Sequence, residues 1–266
     1  MSDPLFSVAD QVVLVSGGSR GIGRAIAQGF AQRGATVVIA SRDEEQLKRT
    51  AAEIAPPQGE VHYQVCDVRD LGAIRRTTAW VLEQFGRIDT LVNVAGVNRR
   101  QPAESFTEED YDFVMDINLK GAFFFSLEVG RHQLQRGQGC QINIASLNNW
   151  TPLVHVAPYA MSKAALGHMT RVLAAEWGPR GVRVNALAPG FILTDLTREL
   201  WARPEMQAWG LPNTPLRRLG QPEDMVGTAI FLASPAAAFL TGQVIVVDGG
   251  FSAALNWPIT QQASSH

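Results

Sequence analysis

Cysteine is scarce: Cys66 and Cys140 are the only two in 266 residues, and they stand far apart. No C-x-x-C pair exists, so a disulfide scaffold and a zinc ribbon are excluded, and no metal site is expected. Both thiols fall in apolar, strand-like runs, as inert core cysteines do. Charge of one sign is also lacking, since 23 Lys and Arg oppose 25 Asp and Glu for a formal net charge of -2. That balance excludes the basic stripe of a nucleic-acid-binding protein. No uncharged apolar run reaches the roughly 18 residues of a membrane span, and no basic-then-apolar leader opens the chain. The expectation is a cytoplasmic protein with neither nucleic-acid nor membrane partners. What is present is 46% hydrophobic and 18% charged sequence, a globular profile, at a length suited to one large α/β domain.

Apolar periodicity alternates along the chain between short β-branched runs and longer helical patterns. It predicts strands at 12–16, 36–40, 61–66, 90–94, 141–145, 182–186 and 243–247. Helices are predicted at 21–33, 44–54, 71–85, 108–136, 159–177 and 222–233. Alternation of this kind implies an α/β fold: a single doubly wound, Rossmann-type domain over 1–266, with a seven-stranded, mostly parallel sheet and helices on both faces. The stretch 191–219, rich in Pro, Trp and Arg, is too long for a simple connection and reads as a substrate lid. A tail from about 254 to 266 contains Trp257-Pro258, which suits docking on a neighbouring subunit, and a Gln/Ser-rich end expected to fray.

Two chemical signals stand out. Tyr159 and Lys163 are four apart and therefore share one helix face. An ammonium beside a phenol favours tyrosinate, so the pair suits proton exchange, with Ser146 available to bind the same oxygen. The second signal is Ser16-Gly17-Gly18-Ser19-Arg20-Gly21-Ile22-Gly23, where a predicted strand runs into a helix. Glycines there let backbone N–H groups approach a pyrophosphate. Ser41-Arg42 at the end of strand two, with Arg20, favours a 2′-phosphate and hence NADP(H) over NAD(H); Arg42 could equally be a solvated helix-entry residue. Asp67 is placed either to accept from an adenine amino group or to cap the next helix.

These residues, with Asn93-Val94-Ala95-Gly96, Asn118 and Pro189-Gly190, resemble the short-chain dehydrogenase/reductase family over nearly the whole chain. The resemblance implies Tyr159 as general acid/base and Lys163 as the cation that lowers its pKa and binds nicotinamide ribose. It implies Ser146 as the hydrogen bond to the substrate oxygen and Asn118 as the holder of a water linking Lys163 to solvent. Implied cofactor contacts are Gly17, Ser19, Arg20, Gly21, Ile22, Gly23, Ser41, Arg42, Asp67, Val68, Asn93, Ala95, Gly96, Tyr159, Lys163, Pro189, Gly190, Ile192 and Thr194. Thr194 has a core or capping role as its alternative. Val94 departs from the family's usual second Asn, so the expectation at that loop rests on Asn93 and the backbone.

Within the family, Asn98-Arg99-Arg100-Gln101-Pro102-Ala103 and Ile144-Ala145-Ser146-Leu147 look like the gluconate 5-dehydrogenases. A small sugar acid or polyol is the implied substrate, and a homotetramer the implied assembly. Arg100 is the candidate for a substrate carboxylate, with Arg99 in reserve and solvated or subunit-contact arginines as the alternative. Trp150, His155, Trp201 and Trp209 flank the expected pocket. Two rival functions share these residues. A 3-oxoacyl-carrier-protein reductase would use Arg99, Arg100, Arg131 and Arg136 as a basic rim. A silent dinucleotide sensor would have no need of Asn118, Ser146, Tyr159 and Lys163 together.

Overall fold

A computed structural model of the protein describes residues 3–57 and 59–254. The expected tail, Ala254 apart, lies outside the described residues. Seven strands, β1 (Val12–Ser16), β2 (Thr36–Ser41), β3 (Val61–Val65), β4 (Thr90–Asn93), β5 (Gly139–Ile144), β6 (Val182–Pro189) and β7 (Val244–Val247), form one sheet. Their order is β3-β2-β1-β4-β5-β6-β7, and every pairing is parallel. Parallel neighbours need crossovers, which the helices supply. These are α1 (Gly21–Ala31), α2 (Glu44–Ile54), α3 (Leu71–Phe85), α4 (Glu108–Met115), α5 (Ala122–Arg136), α6 (Ala157–Trp177), α7 (Arg198–Trp201), α8 (Pro204–Asn213) and α9 (Val226–Ala233).

Strand periodicity divides the core into two layers. Val13 and Val15 of β1 pack with Ile26, Phe30, Ile39 and Leu47 on one face. Leu14 packs with Val38, Ile74, Leu91 and Phe125 on the other. β1 and β4 are buried throughout, which explains their continuous apolar runs. The chain turns opposite ways on leaving β1 and β4, so a crevice opens at their carboxyl ends.

Two expected helices differ in detail. The predicted 108–136 helix is interrupted by a π-helical turn at Asp116–Gly121, a form often found at functional sites. The last helix begins as a 3-10 turn at Pro222–Met225 before α9. Cys66 and Cys140 are both free and buried. Among the described residues no helix is long and apolar enough to cross a membrane.

Candidate active site

The crevice begins with the turn from β1 into α1. Gly17 (φ +77°) and Gly21 (φ +52°) occupy left-handed backbone, where a side chain is strained. A Cβ on Gly17 would stand 2.6 Å from the Ala95 nitrogen, and one on Gly23 would meet the Gly17 carbonyl oxygen. α2, α3 and α4 are closed by side-chain caps from Asp43, Asp70 and Thr107. α1 has no side-chain cap and no acid in its first turn. Its first amides and helix dipole therefore remain available to an anion, and the cradle fits a pyrophosphate. Thr194 lies across the crevice, 3.5 Å from where a Gly21 Cβ would be. Its backbone N–H is held by Thr197 Oγ1 at 2.9 Å.

Beside this turn, Ser19 is buried and its carbonyl accepts from Thr50 Oγ1 at 2.8 Å. Ile22 packs on the core edge. Ser41 Oγ is buried without a partner, while Arg20 and Arg42 are exposed. Arg69 grips both carboxylate oxygens of Asp67, with distances of 2.6–3.1 Å. This bond, backed by the Asp67–Arg69 turn and the Arg42 charge, holds the Asp67 carboxyl below its ordinary value. Asp67 is thus tied to a neighbouring guanidinium rather than left open. Val68 is buried where a Cβ on Gly121 would touch it at 2.8 Å. On the far side, Pro189 ends β6, and Gly190 packs so tightly that a Cβ would stand 2.5 Å from Asp248 Cβ. Ile192 is buried beyond it.

α6 carries Tyr159 and Lys163 one turn apart. Lys163 is 4% exposed, and its Nζ donates to the Ile144 carbonyl at 2.6 Å. Burial pulls its pKa down to about 8. The same nitrogen lies 5.8 Å from the Tyr159 ring centre. Burial raises the Tyr159 phenol, while the Ser146 hydroxyl bonded to it and the Arg100 charge pull it back down. The Lys163 ammonium, held by Ile144, lies beneath the Tyr159 ring. Gly96 sits between the groups: a Cβ there would be 3.5 Å from Asn118 Oδ1 and 3.6 Å from Lys163 Nζ.

Ser146 Oγ accepts from the Asn148 backbone N–H at 3.2 Å and from Asn148 Nδ2 at 3.3 Å. A hydroxyl has two lone pairs and one proton. With both lone pairs engaged, Ser146 is left as a donor toward Tyr159 or a substrate oxygen. Asn118 uses Nδ2 on the Val97 carbonyl (2.9 Å) and on Ser162 Oγ (3.1 Å), and accepts from the Val97 N–H at 2.8 Å. Its side-chain amide is thereby engaged by protein. Ser162 passes the link on, donating to the Tyr159 carbonyl at 2.7 Å. Neither Ser162 nor Asn148 was singled out by the sequence; both lie beside motif residues, and only the fold shows their partners.

Three further expectations are corrected. The Asn93 amide faces the interior, donating to Ser126 Oγ at 3.0 Å and Asn143 Oδ1 at 2.9 Å. β4 alternation turns it toward α5, leaving the backbone at Ala95 beside the glycine turn. Trp201 is 3% exposed, covered by α8, where a Gly210 Cβ would touch its ring. Arg99 is no reserve, since its Nε is 3.2 Å from Asp110 Oδ1 and its guanidinium lies 4.8 Å over the Phe113 ring. Arg100 is exposed. Trp150 and Trp209 are 48% and 42% exposed.

Comparison with known proteins agrees with this architecture. A family model described as enoyl-(acyl carrier protein) reductase matches residues 17–252. Gluconate 5-dehydrogenase of Gluconobacter oxydans (strain 621H) is 39% identical over 256 residues, covering 96% of this chain and 100% of that protein. D-threitol dehydrogenase of Mycolicibacterium smegmatis is 38% identical, covering 93% of this chain and 95% of that protein. A crystal structure of gluconate 5-dehydrogenase from Burkholderia cenocepacia J2315, in complex with NADP and tartrate, superposes with a TM-score of 0.91. That structure is 36% identical, covering 95% of this chain and 99% of the other. The chain belongs to the short-chain dehydrogenase/reductase family and is an NAD(P)-dependent oxidoreductase acting on CH–OH groups.

Proposed function

We propose that the enzyme interconverts a secondary alcohol and a ketone on a sugar acid, in the manner of a gluconate 5-dehydrogenase. The observation that carries this reading is Arg100, an exposed guanidinium on the loop that leaves β4, next to Gln101, whose N–H bonds the His155 carbonyl ahead of Tyr159 at 3.0 Å. A planar fork of donors fits a carboxylate. Relatives named for gluconate and threitol support the substrate class, as does the tartrate held by the Burkholderia enzyme.

Hydride leaves a secondary alcohol only as its O–H proton is removed. Tyr159 Oη takes that proton, and Ser146 donates to the same oxygen. Lys163 keeps a cation beneath the phenol and binds ribose hydroxyls. The dinucleotide, when bound, supplies the hydride acceptor or donor. The Gly17–Gly23 turn holds its pyrophosphate, Asp67 and Val68 border adenine, and Ala95-Gly96 border the nicotinamide ribose. Pro189, Gly190, Ile192 and Thr194 edge the carboxamide.

Arg100→Ala tests the substrate. The expected result is a roughly ten- to hundredfold loss of kcat/KM for gluconate, the scale of a charged hydrogen bond. A neutral polyol should change little. Equal losses for both would mean that Arg100 supports the loop instead of reading the acid.

NADP is the proposed cofactor because Ser41 and Arg42 stand where an acid would hold ribose hydroxyls, with Arg20 nearby in the glycine turn. A charge-assisted contact to the 2′-phosphate contributes roughly 1.5–3 kcal/mol, and about 1.4 kcal/mol is tenfold. NADP should therefore exceed NAD in kcat/KM by one to two orders of magnitude. A value with NAD equal to or above that with NADP would remove this assignment.

The carrier-protein reductase reading needs a free basic rim, which an acidic partner would meet. Three of its four candidate arginines are paired: Arg99 with Asp110, Arg131 with Glu128, and Arg136 with Asp89. This favours the small acid. We also take the enzyme to be a homotetramer. A groove of about 540 Å³ between α5 and α6 is lined by Leu119, Phe123, Met169 and Val172, and the β7 edge lies beside a fully exposed Phe239. Two self-complementary faces generate a closed tetramer, and a solution mass by light scattering checks it. The lid reading of 191–219 is supported by its pinned ends, where Leu193 and Gly220 exchange backbone bonds with Gly220 and Phe191 at 2.8 and 2.9 Å. Ligand-dependent protection of this segment from protease is its test. Two free thiols fit a cytoplasmic setting.

A further inference from the structure

We infer that Asp110 is the positioning residue for Arg100: it touches no substrate, but it sets the enzyme's preference for an acid over a neutral polyol. The inference rests on the carboxylate reading of Arg100 given above. The loop 97–101 leaves β4 and lies between α4 and the approach to α6. Asn118 clamps it at Val97 through two hydrogen bonds. Asp110, in the first turn of α4, clamps it again from the other end.

Both Asp110 oxygens are engaged. Oδ1 pairs with Arg99 Nε at 3.2 Å. Oδ2 accepts from Gln101 Nε2 at 2.8 Å and from the Thr107 N–H at 3.5 Å. One carboxylate therefore holds the two residues that flank Arg100. Arg100 is thus carried on a stretch whose two flanking residues are both held to α4.

A second contact ties this loop to the catalytic helix. The Gln101 backbone N–H donates to the His155 carbonyl at 3.0 Å. His155 stands four residues before Tyr159 and adopts left-handed backbone, φ +65°, a conformation uncommon for a residue with a side chain. Such strain persists where the surroundings over-determine it. Asp110 thereby fixes the Arg100 loop in register with the segment that presents Tyr159, without contacting either side chain.

The test is a double-mutant cycle between Asp110→Ala and Arg100→Ala. For Asp110→Ala alone, KM for gluconate is expected to rise roughly three- to tenfold with kcat little changed. A neutral polyol should keep its kcat/KM within about twofold. In the Arg100→Ala background the same substitution should do nothing further to KM. Asp110→Asn keeps the shape and one acceptor, so it should recover part of the loss; it also serves if the alanine variant folds poorly. Loss shared equally by acid and neutral substrates, or loss undiminished without Arg100, overturns the inference. Hydrogen exchange at the Gln101 amide provides a readout independent of substrate: Asp110→Ala should accelerate it, and unchanged exchange also overturns the inference. If Arg100→Ala shows no acid selectivity while Gln101 exchange accelerates, the sugar-acid reading fails and the loop clamp stands.

Discussion

Replacing Tyr159 with phenylalanine is expected to reduce kcat by roughly a thousandfold or more, while dinucleotide affinity stays nearly unchanged. The substitution removes one oxygen and keeps the ring that lies over Lys163. Packing in the crevice is thus conserved, and the loss measures proton exchange itself. The phenol is raised by burial and lowered by Ser146 and Arg100, so the tyrosinate required for oxidation accumulates as pH rises. Oxidation in the parent enzyme should gain rate toward alkaline pH, and reduction, which needs the phenol, should gain toward neutral pH. In Tyr159→Phe that titration should vanish from the residual rate. Measuring kcat in both directions across pH 6–10, with cofactor affinity by fluorescence, checks each part. Retention of a tenth or more of kcat would remove Tyr159 from the role of acid/base.

Which residues the sequence revealed follows from how local their signals are. The glycine turn is legible because strand, tight turn and helix adjoin in the chain, and Gly17 and Gly21 take the backbone that only glycine accepts freely. Tyr159 and Lys163 are legible because helical spacing puts them on one face. Asn93 was misplaced because the motif gives its position but not its face; Ser126 and Asn143 hold it inside the sheet. For Asp67 the spacing offers an adenine acceptor or a helix cap; the grip of Arg69, two residues later, is a matter of rotamer and leaves no mark in it. Ser162 stayed silent, and so did Asp110 as the partner of Arg99 and Gln101, since each joins two separate segments. Asn118 and Ser162, for instance, are 44 residues apart. The π-helical turn that carries Asn118 is a change of hydrogen-bond register within one helical run, which the residue types at 116–121 do not announce.

Lys163→Met should separate function from stability. Turnover is expected to fall about a hundredfold, as the cation beneath Tyr159 and its ribose contacts are lost. Stability should move the other way. The folded-state pKa is about 8 against 10.5 for the free side chain, with burial as the cause. A shift of that size corresponds to roughly 3 kcal/mol of unfavourable burial of the ammonium. Because the folded pKa is depressed for a cation, the unfolded chain binds more protons between pH 8 and 10.5. Wild-type stability therefore gains from this group as pH rises through that window, and the full cost is present below pH 8. Methionine carries no charge and escapes the cost, though it leaves the Ile144 carbonyl without its donor, an offset of about 1–3 kcal/mol. The variant should be equal to or more stable than the wild type at pH 7, and the difference should move against the variant as pH approaches 10.5. Urea unfolding at pH 7, 9 and 10.5 measures this. A variant less stable by several kcal/mol at pH 7, with a gap independent of pH, would mean that the ammonium is a structural support. A stabilising, inactivating substitution would instead identify Lys163 as a buried charge kept for chemistry at the expense of the fold.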